Sequence, residues 1–143
     1  MRRTPWRAVS LILILGLAVM SCDGPNRGTN TQPSSASGQQ VVVTAATNTL
    51  QGIPPGSDSD LGACTVVQAK VFDTQGRLVD GATVFFAASI GVYREGTTNF
   101  GGVTRTTVRG NASAFFCALS DRGTANITAT VEDAVGSTQV TII

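Results

Sequence analysis

Residues 65–89 read TVVQAKVFDTQGRLVDGATVFFAAS, and the alternation within this stretch decides the fold. Between Val66 and Phe72, the side chains of Val67, Ala69 and Val71 fall on one face and Gln68 and Lys70 on the other. That period of two is the mark of a half-buried strand. Asp73, Gly76, Asp80 and Gly81 come next. Asp side chains bond nearby backbone amides and Gly accepts positive φ, so DTQGRLVDG reads as a turn segment. The chain returns over residues 82–88, where Val84, Phe86 and Ala88 share a face. Two strands joined as a hairpin are expected here.

The flanks supply further strands. Residues 41–46 form the first candidate, and residues 47–63 read as a loop around Pro54-Pro55-Gly56. Residues 90–102 read as a long connection and residues 103–108 as a strand. Gly110-Asn111 makes a turn into a strand over residues 112–119. Residues 124–132 give the clearest alternation, with Ala125, Ile127, Ala129 and Val131 set against Thr and Asn, and Val140 and Ile142 close the last strand. Six or seven strands at intervals of about 8–12 residues, punctuated by turn residues, predict an all-β sandwich.

The pattern V-x-D-x-x-G-x-x-V-x-G-A-x-V-x-F in the opening stretch resembles the bacterial Ig-like (Big, invasin-type) domains of envelope proteins. TTVRGNASA, residues 106–114, is similar to that family's threonine–turn–glycine–x–alanine segment, and RGTANITATVED to its penultimate strand. The resemblance covers residues 41–143 and implies an Ig-like β-sandwich of about seven strands. A similar V-x-D-x-x-G motif occurs in transthyretin-like and carboxypeptidase-regulatory domains, which are also small sandwiches. The resemblance implies a non-enzymatic module for structure, adhesion or assembly. A polysaccharide-binding module and an accessory subunit of a membrane complex are the alternatives.

Residues 1–21 read as a leader rather than as part of the fold. Arg2, Arg3 and Arg7 form a positive head, and the apolar run of 13 residues from Ala8 to Met20 is too short to span a bilayer of about 30 Å. It ends in Val19-Met20-Ser21-Cys22, which resembles the lipobox of bacterial lipoproteins. The implied chemistry is diacylglyceryl transfer to the Cys22 sulfur and cleavage before it. Two or three acyl chains then make a stable membrane anchor, each buried CH₂ contributing about 0.8 kcal/mol. Residues 23–40, DGPNRGTNTQPSSASGQQ, hold no strong hydrophobe and read with Cys22 as a lipidated, flexible linker. Its r.m.s. reach is roughly 25 Å, which holds the domain just clear of the headgroups. The expected location is the cell envelope, membrane-anchored and facing the periplasm or the exterior.

Composition excludes much else. From Cys22 onward seven basic residues face nine acidic ones, a net charge of −2, and no basic stripe remains for nucleic acid. There is no histidine, so Ser–His and Cys–His nucleophile pairs and imidazole metal sites are ruled out. No catalytic residue, metal or cofactor is expected. Asp58 and Asp60 sit in a polar loop, but a calcium cage takes about six oxygen ligands or more and this loop offers two carboxylates.

Cys64 and Cys117 remain as an even pair in an exported chain, which is ordinarily a disulfide. In the implied topology they lie on antiparallel neighbours, the start of one strand beside the end of the other. One register puts both thiols on the outer face and Phe116 inward; the other buries Phe115 and Cys117 and bridges the core. The first register leaves Phe85 and Phe115 exposed, making them candidate partner contacts together with Tyr93, Arg94 and Phe100. The alternative for Tyr93 and Phe100 is that they fold back onto the end of the sandwich.

Overall fold

The computed structural model describes residues 38–143. The leader, Cys22 and the linker through residue 37 lie outside the described residues. Ten strands follow one another: β1 Gln40–Ala45, β2 Thr49–Leu50, β3 Cys64–Phe72, β4 Thr83–Ala88, β5 Val92–Glu95, β6 Thr98–Phe100, β7 Gly102–Thr106, β8 Asn111–Cys117, β9 Gly123–Val131 and β10 Ala134–Ile142. They make two sheets, ordered β1-β3-β8-β5-β6 and β2-β10-β9-β4-β7. The architecture is an Ig-like β-sandwich. The seven longer strands match the seven expected, while β2, β5 and β6 arise within segments that read as loops. Two to four residues show too little alternation to be recognised as strands.

The core lies between the sheets and follows the predicted alternation. Val67, Ala69 and Val71 of β3, Val84 and Phe86 of β4, Ala112, Ala114 and Phe116 of β8, and Ala125, Ile127 and Ala129 of β9 are all buried. Their outward neighbours, apart from Cys117, are exposed or half-exposed, Lys70 among them.

One expectation is corrected. The runs around Asp73 are not a hairpin, since β3 belongs to the first sheet and β4 to the second. Asp73 closes a turn within its own loop, its Oδ1 accepting from the amides of Gln75 (2.8 Å) and Arg77 (2.9 Å), with Gly76 at φ 75°. Val79 then donates its amide to Val71 (2.9 Å), and two residues later Gly81 donates to Thr107 (3.0 Å), at the end of the neighbouring sheet. The stretch therefore carries the chain across the sandwich.

That crossing is where the two recognised motifs meet. Thr107 is buried, and its Oγ1 accepts from the Ala82 amide (2.9 Å) while donating to the Val79 carbonyl (2.8 Å). Asp80 Oδ1 accepts from the Arg109 amide (2.8 Å). Arg109 and Gly110, at φ 53° and 74°, turn the chain between Val108 and Asn111, the backbone of a tight hairpin with both central residues left-handed. A Cβ on Gly110 would lie 2.5 Å from the Leu78 Cβ, so only glycine fits.

The first segment is shared between both layers. β1 pairs antiparallel with β3, β2 pairs parallel with β10, and Gly136 of β10 lets β1 pass so closely that a Cβ would fall 2.2 Å from the Val41 oxygen. The described chain enters beside Thr74, at the Phe72 end of β3. Cys64 stands at the opposite end of that strand.

Candidate functional site

Cys64 and Cys117 face each other in the β3–β8 ladder and are joined as a disulfide, with Cα atoms 4.0 Å apart. Cys64 is exposed on the outward side of β3, in line with Val66, Gln68 and Lys70. The register that points Phe116 inward is the observed one, and Phe115 stands outside. Cys117 lies on the same outward side, yet it is fully buried beside Val92 and the Gly62–Ala63 segment, whose backbone pairs with Ala118. The bridge thus ties together two central strands of the first sheet.

Phe115 is the most exposed aromatic side chain of the domain, at 59%. Its cross-strand partners are Val66 on β3 and Arg94 on β5, and Arg94 in turn pairs with Asn99 on β6. Paired residues share a face at about 5 Å spacing. Val66, Phe115, Arg94 and Asn99 therefore form one row across four strands. Beyond Asn99 the loop residues Ser59, Asp60 and Leu61 join Arg94, Thr97 and Asn99 to line an open polar cleft of about 240 Å³. Arg94 spends its Nε on the Gly96 carbonyl (2.8 Å), and among the described residues Asp60 carries no ion pair.

Tyr93, expected among the partner contacts, is corrected: it is fully buried. Pairing of β5 with β8 turns it inward, where its ring lies 6.2 Å from Phe86 and 5.7 Å from Phe116, centroid to centroid. Its hydroxyl donates to the Ala87 carbonyl (3.2 Å), and burial pushes the phenol pKa well above its ordinary value. The signal lay in two short runs, VYRE and TNF, on either side of Gly96-Thr97, the punctuation of a hairpin. Phe100 pairs with Tyr93 and turns to the same side, but it sits on an edge strand and stays 39% exposed.

Phe85 and Phe115 do not form one patch, because β4 and β8 lie in different sheets. Phe85 is 49% exposed on the far side of the sandwich. It lies between Thr104 and Thr130, with its ring over Gly102, where a Cβ would meet Phe85 Cζ at 2.7 Å. The domain thus covers Phe85 in part by itself, and Phe115 is the more exposed of the two. The Asp58–Asp60 loop is bound to itself, Ser59 Oγ donating to the Leu61 carbonyl (2.7 Å).

No family model and no curated protein matches this chain. Solved structures do. A 282-residue C-terminal fragment of intimin, in complex with the intimin-binding domain of the translocated intimin receptor, is similar over 70% of this chain and 31% of its own, with TM-score 0.51 and 17% identity. The adhesin InvE of Yersinia pseudotuberculosis is similar over 78% and 28%, with TM-score 0.52 and 23% identity. A glycosyl hydrolase family 2 member from Bacteroides cellulosilyticus is similar over 77% and 15%, with TM-score 0.50 and 19% identity. The chain spans less than a third of each, and what is shared is the fold.

Proposed function

We propose that this chain is a non-enzymatic, lipid-anchored protein of the cell envelope whose Ig-like domain makes adhesion or assembly contacts. The observation that carries the reading is the row centred on Phe115, the most exposed aromatic ring of the domain, between Val66 and Arg94 on a disulfide-braced sheet. Aromatic and Arg side chains held on rigid elements are the residue types that dominate binding energy, and large apolar side chains left open mark contact surfaces when they cluster.

Position supports the same reading. Val66 and Phe115 lie two residues from the Cys64–Cys117 bridge, whereas the chain enters at the Phe72 end. A domain held through Cys22 is tethered at the end of the sheet away from this row, which leaves the row free to meet a partner. The structural likeness to two adhesins agrees with such a role.

Two measurements test it. Intact-mass analysis of membrane-extracted protein is expected to show a mature start at Cys22 with added acyl mass, and a water-soluble form cut elsewhere would refute the anchor. A photo-cross-linking residue at position 115 is expected to form adducts in native membranes where the same residue at position 85 forms none. Equal labelling from both positions would remove Phe115 from the contact.

A further inference from the structure

The chemistry of the cleft beside Phe115 says what class of ligand this face takes. Its lining combines an acceptor-only carboxylate (Asp60), a cationic donor fork (Arg94), an amide able to do both (Asn99) and two hydroxyls (Ser59, Thr97). Of these, Ser59 already gives its proton to the Leu61 carbonyl, whereas among the described residues Asp60 is engaged in no ion pair and Arg94 bonds within its own hairpin through Nε, leaving its other guanidinium nitrogens open. Free acceptors and free donors side by side match a ligand whose own donors and acceptors alternate at short spacing, as adjacent hydroxyls on a sugar ring do. An anion would meet the Asp60 charge, and a cation would meet Arg94. A purely apolar ligand would leave both unpaired, which is costly.

An aromatic ring stands next to one wall of the cleft. Arg94 is the direct cross-strand partner of Phe115, so the two side chains rise from the same face of neighbouring strands with their Cβ atoms about 5 Å apart. The cleft's volume of about 240 Å³ falls below the roughly 300–1,000 Å³ of pockets that enclose drug-sized ligands, which suits one ring seated at a time within a longer chain. The row from Asn99 through Arg94 to Phe115 and Val66 runs across four neighbouring strands. The geometry points to an oligosaccharide chain lying along this row, one ring bonded by Asp60, Arg94 and Asn99 and the next resting on Phe115. This deepens the adhesion reading by naming a glycan as its ligand.

The test is amide chemical-shift mapping of the mature, acylated chain in detergent micelles. The probes are chitotriose, cellotriose, maltotriose and a muramyl-containing tetrasaccharide, each to about 10 mM, since weak glycan contacts fall near a Kd of about 1 mM. At least one sugar is expected to shift residues 59–61, 94, 97, 99 and 115 together. Asp60→Asn and Asn99→Ala are each expected to weaken that sugar about tenfold, the effect of losing one hydrogen bond to a polar ligand, while Lys70→Ala and Phe85→Ser leave it unchanged. Shifts from none of the four sugars, shifts centred on Phe85, or undiminished binding by both cleft variants would overturn the assignment. Loss of binding on Phe115→Ala with none on Asp60→Asn and Asn99→Ala would put the sugar on the ring alone, without the cleft, and overturn the assignment equally. None of these outcomes bears on the acyl mass at Cys22, so the failure of the glycan assignment and of the anchored-adhesion reading are separable.

Discussion

Replacing Thr107 by valine keeps the shape of a buried side chain and removes two hydrogen bonds. The threonine is 2% exposed, and its Oγ1 takes the Ala82 amide proton at 2.9 Å and gives its own proton to the Val79 carbonyl at 2.8 Å. Its backbone amide also bonds the Ala82 carbonyl at 2.8 Å, and this bond survives the substitution. Valine thus strands one donor and one acceptor where β3 crosses to β4. At about 1–3 kcal/mol for each stranded group, less where water reaches one of them, the expected loss is about 2–4 kcal/mol. For a domain of this size each kcal/mol lowers Tm by about 4–8 °C, so a fall of about 8–32 °C follows. Thr107→Ser keeps both bonds and loses one methyl group, a cost of about 1 kcal/mol. Urea unfolding of both variants, with the disulfide intact, separates the two effects. A valine variant within 0.5 kcal/mol of the wild type, or a serine variant less stable than the valine one, would refute the hydrogen-bonded role of Thr107; that threshold is about the scatter of neutral substitutions.

Three more expectations follow from the geometry. Replacing Cys64 and Cys117 together by serine opens a loop of 53 positions, and loop-closure entropy puts the loss near 4 kcal/mol, to be read from thermal melts against the wild type. Gly136→Ala would set a Cβ 2.2 Å from the Val41 oxygen, and at about 1–3 kcal/mol for forced overpacking hydrogen exchange should quicken along β1; Gly101→Ala, with open space around it, should change nothing. The backbone amide of Arg77, with help from Gln75 and the Arg77 guanidinium, lowers the Asp73 pKa from its ordinary 3.8. The stability this carboxylate contributes is present above the unfolded pKa and is lost as pH falls through the lower folded one, so Asp73→Asn should flatten the acid end of a stability–pH curve below about pH 4.

The alternation over residues 66–72, 84–88 and 124–131 was enough by itself to say which side chains face the core. Side chains alternate strictly along a strand, and a slip of one residue would expose the whole apolar set. Over residues 112–119 alternation left two registers open, and the structure decided for Phe116 inside and Phe115 outside; the turn residues Asp73, Gly76 and Gly110 stood where the chain bends. What alternation cannot express is the partner of a strand. Only the tertiary structure separated β3 from β4, because the polar loop between them, after turning back onto the end of β3 at Val79, is drawn to the second sheet by Thr107 and Arg109, distant in sequence. It also drew Tyr93 from an apparent loop into the core, since two short strands gain order only when β8 offers them an edge. And it put Phe85 and Phe115 on opposite faces while setting Asp60 beside Arg94, a juxtaposition that depends on how the two sheets close around one another.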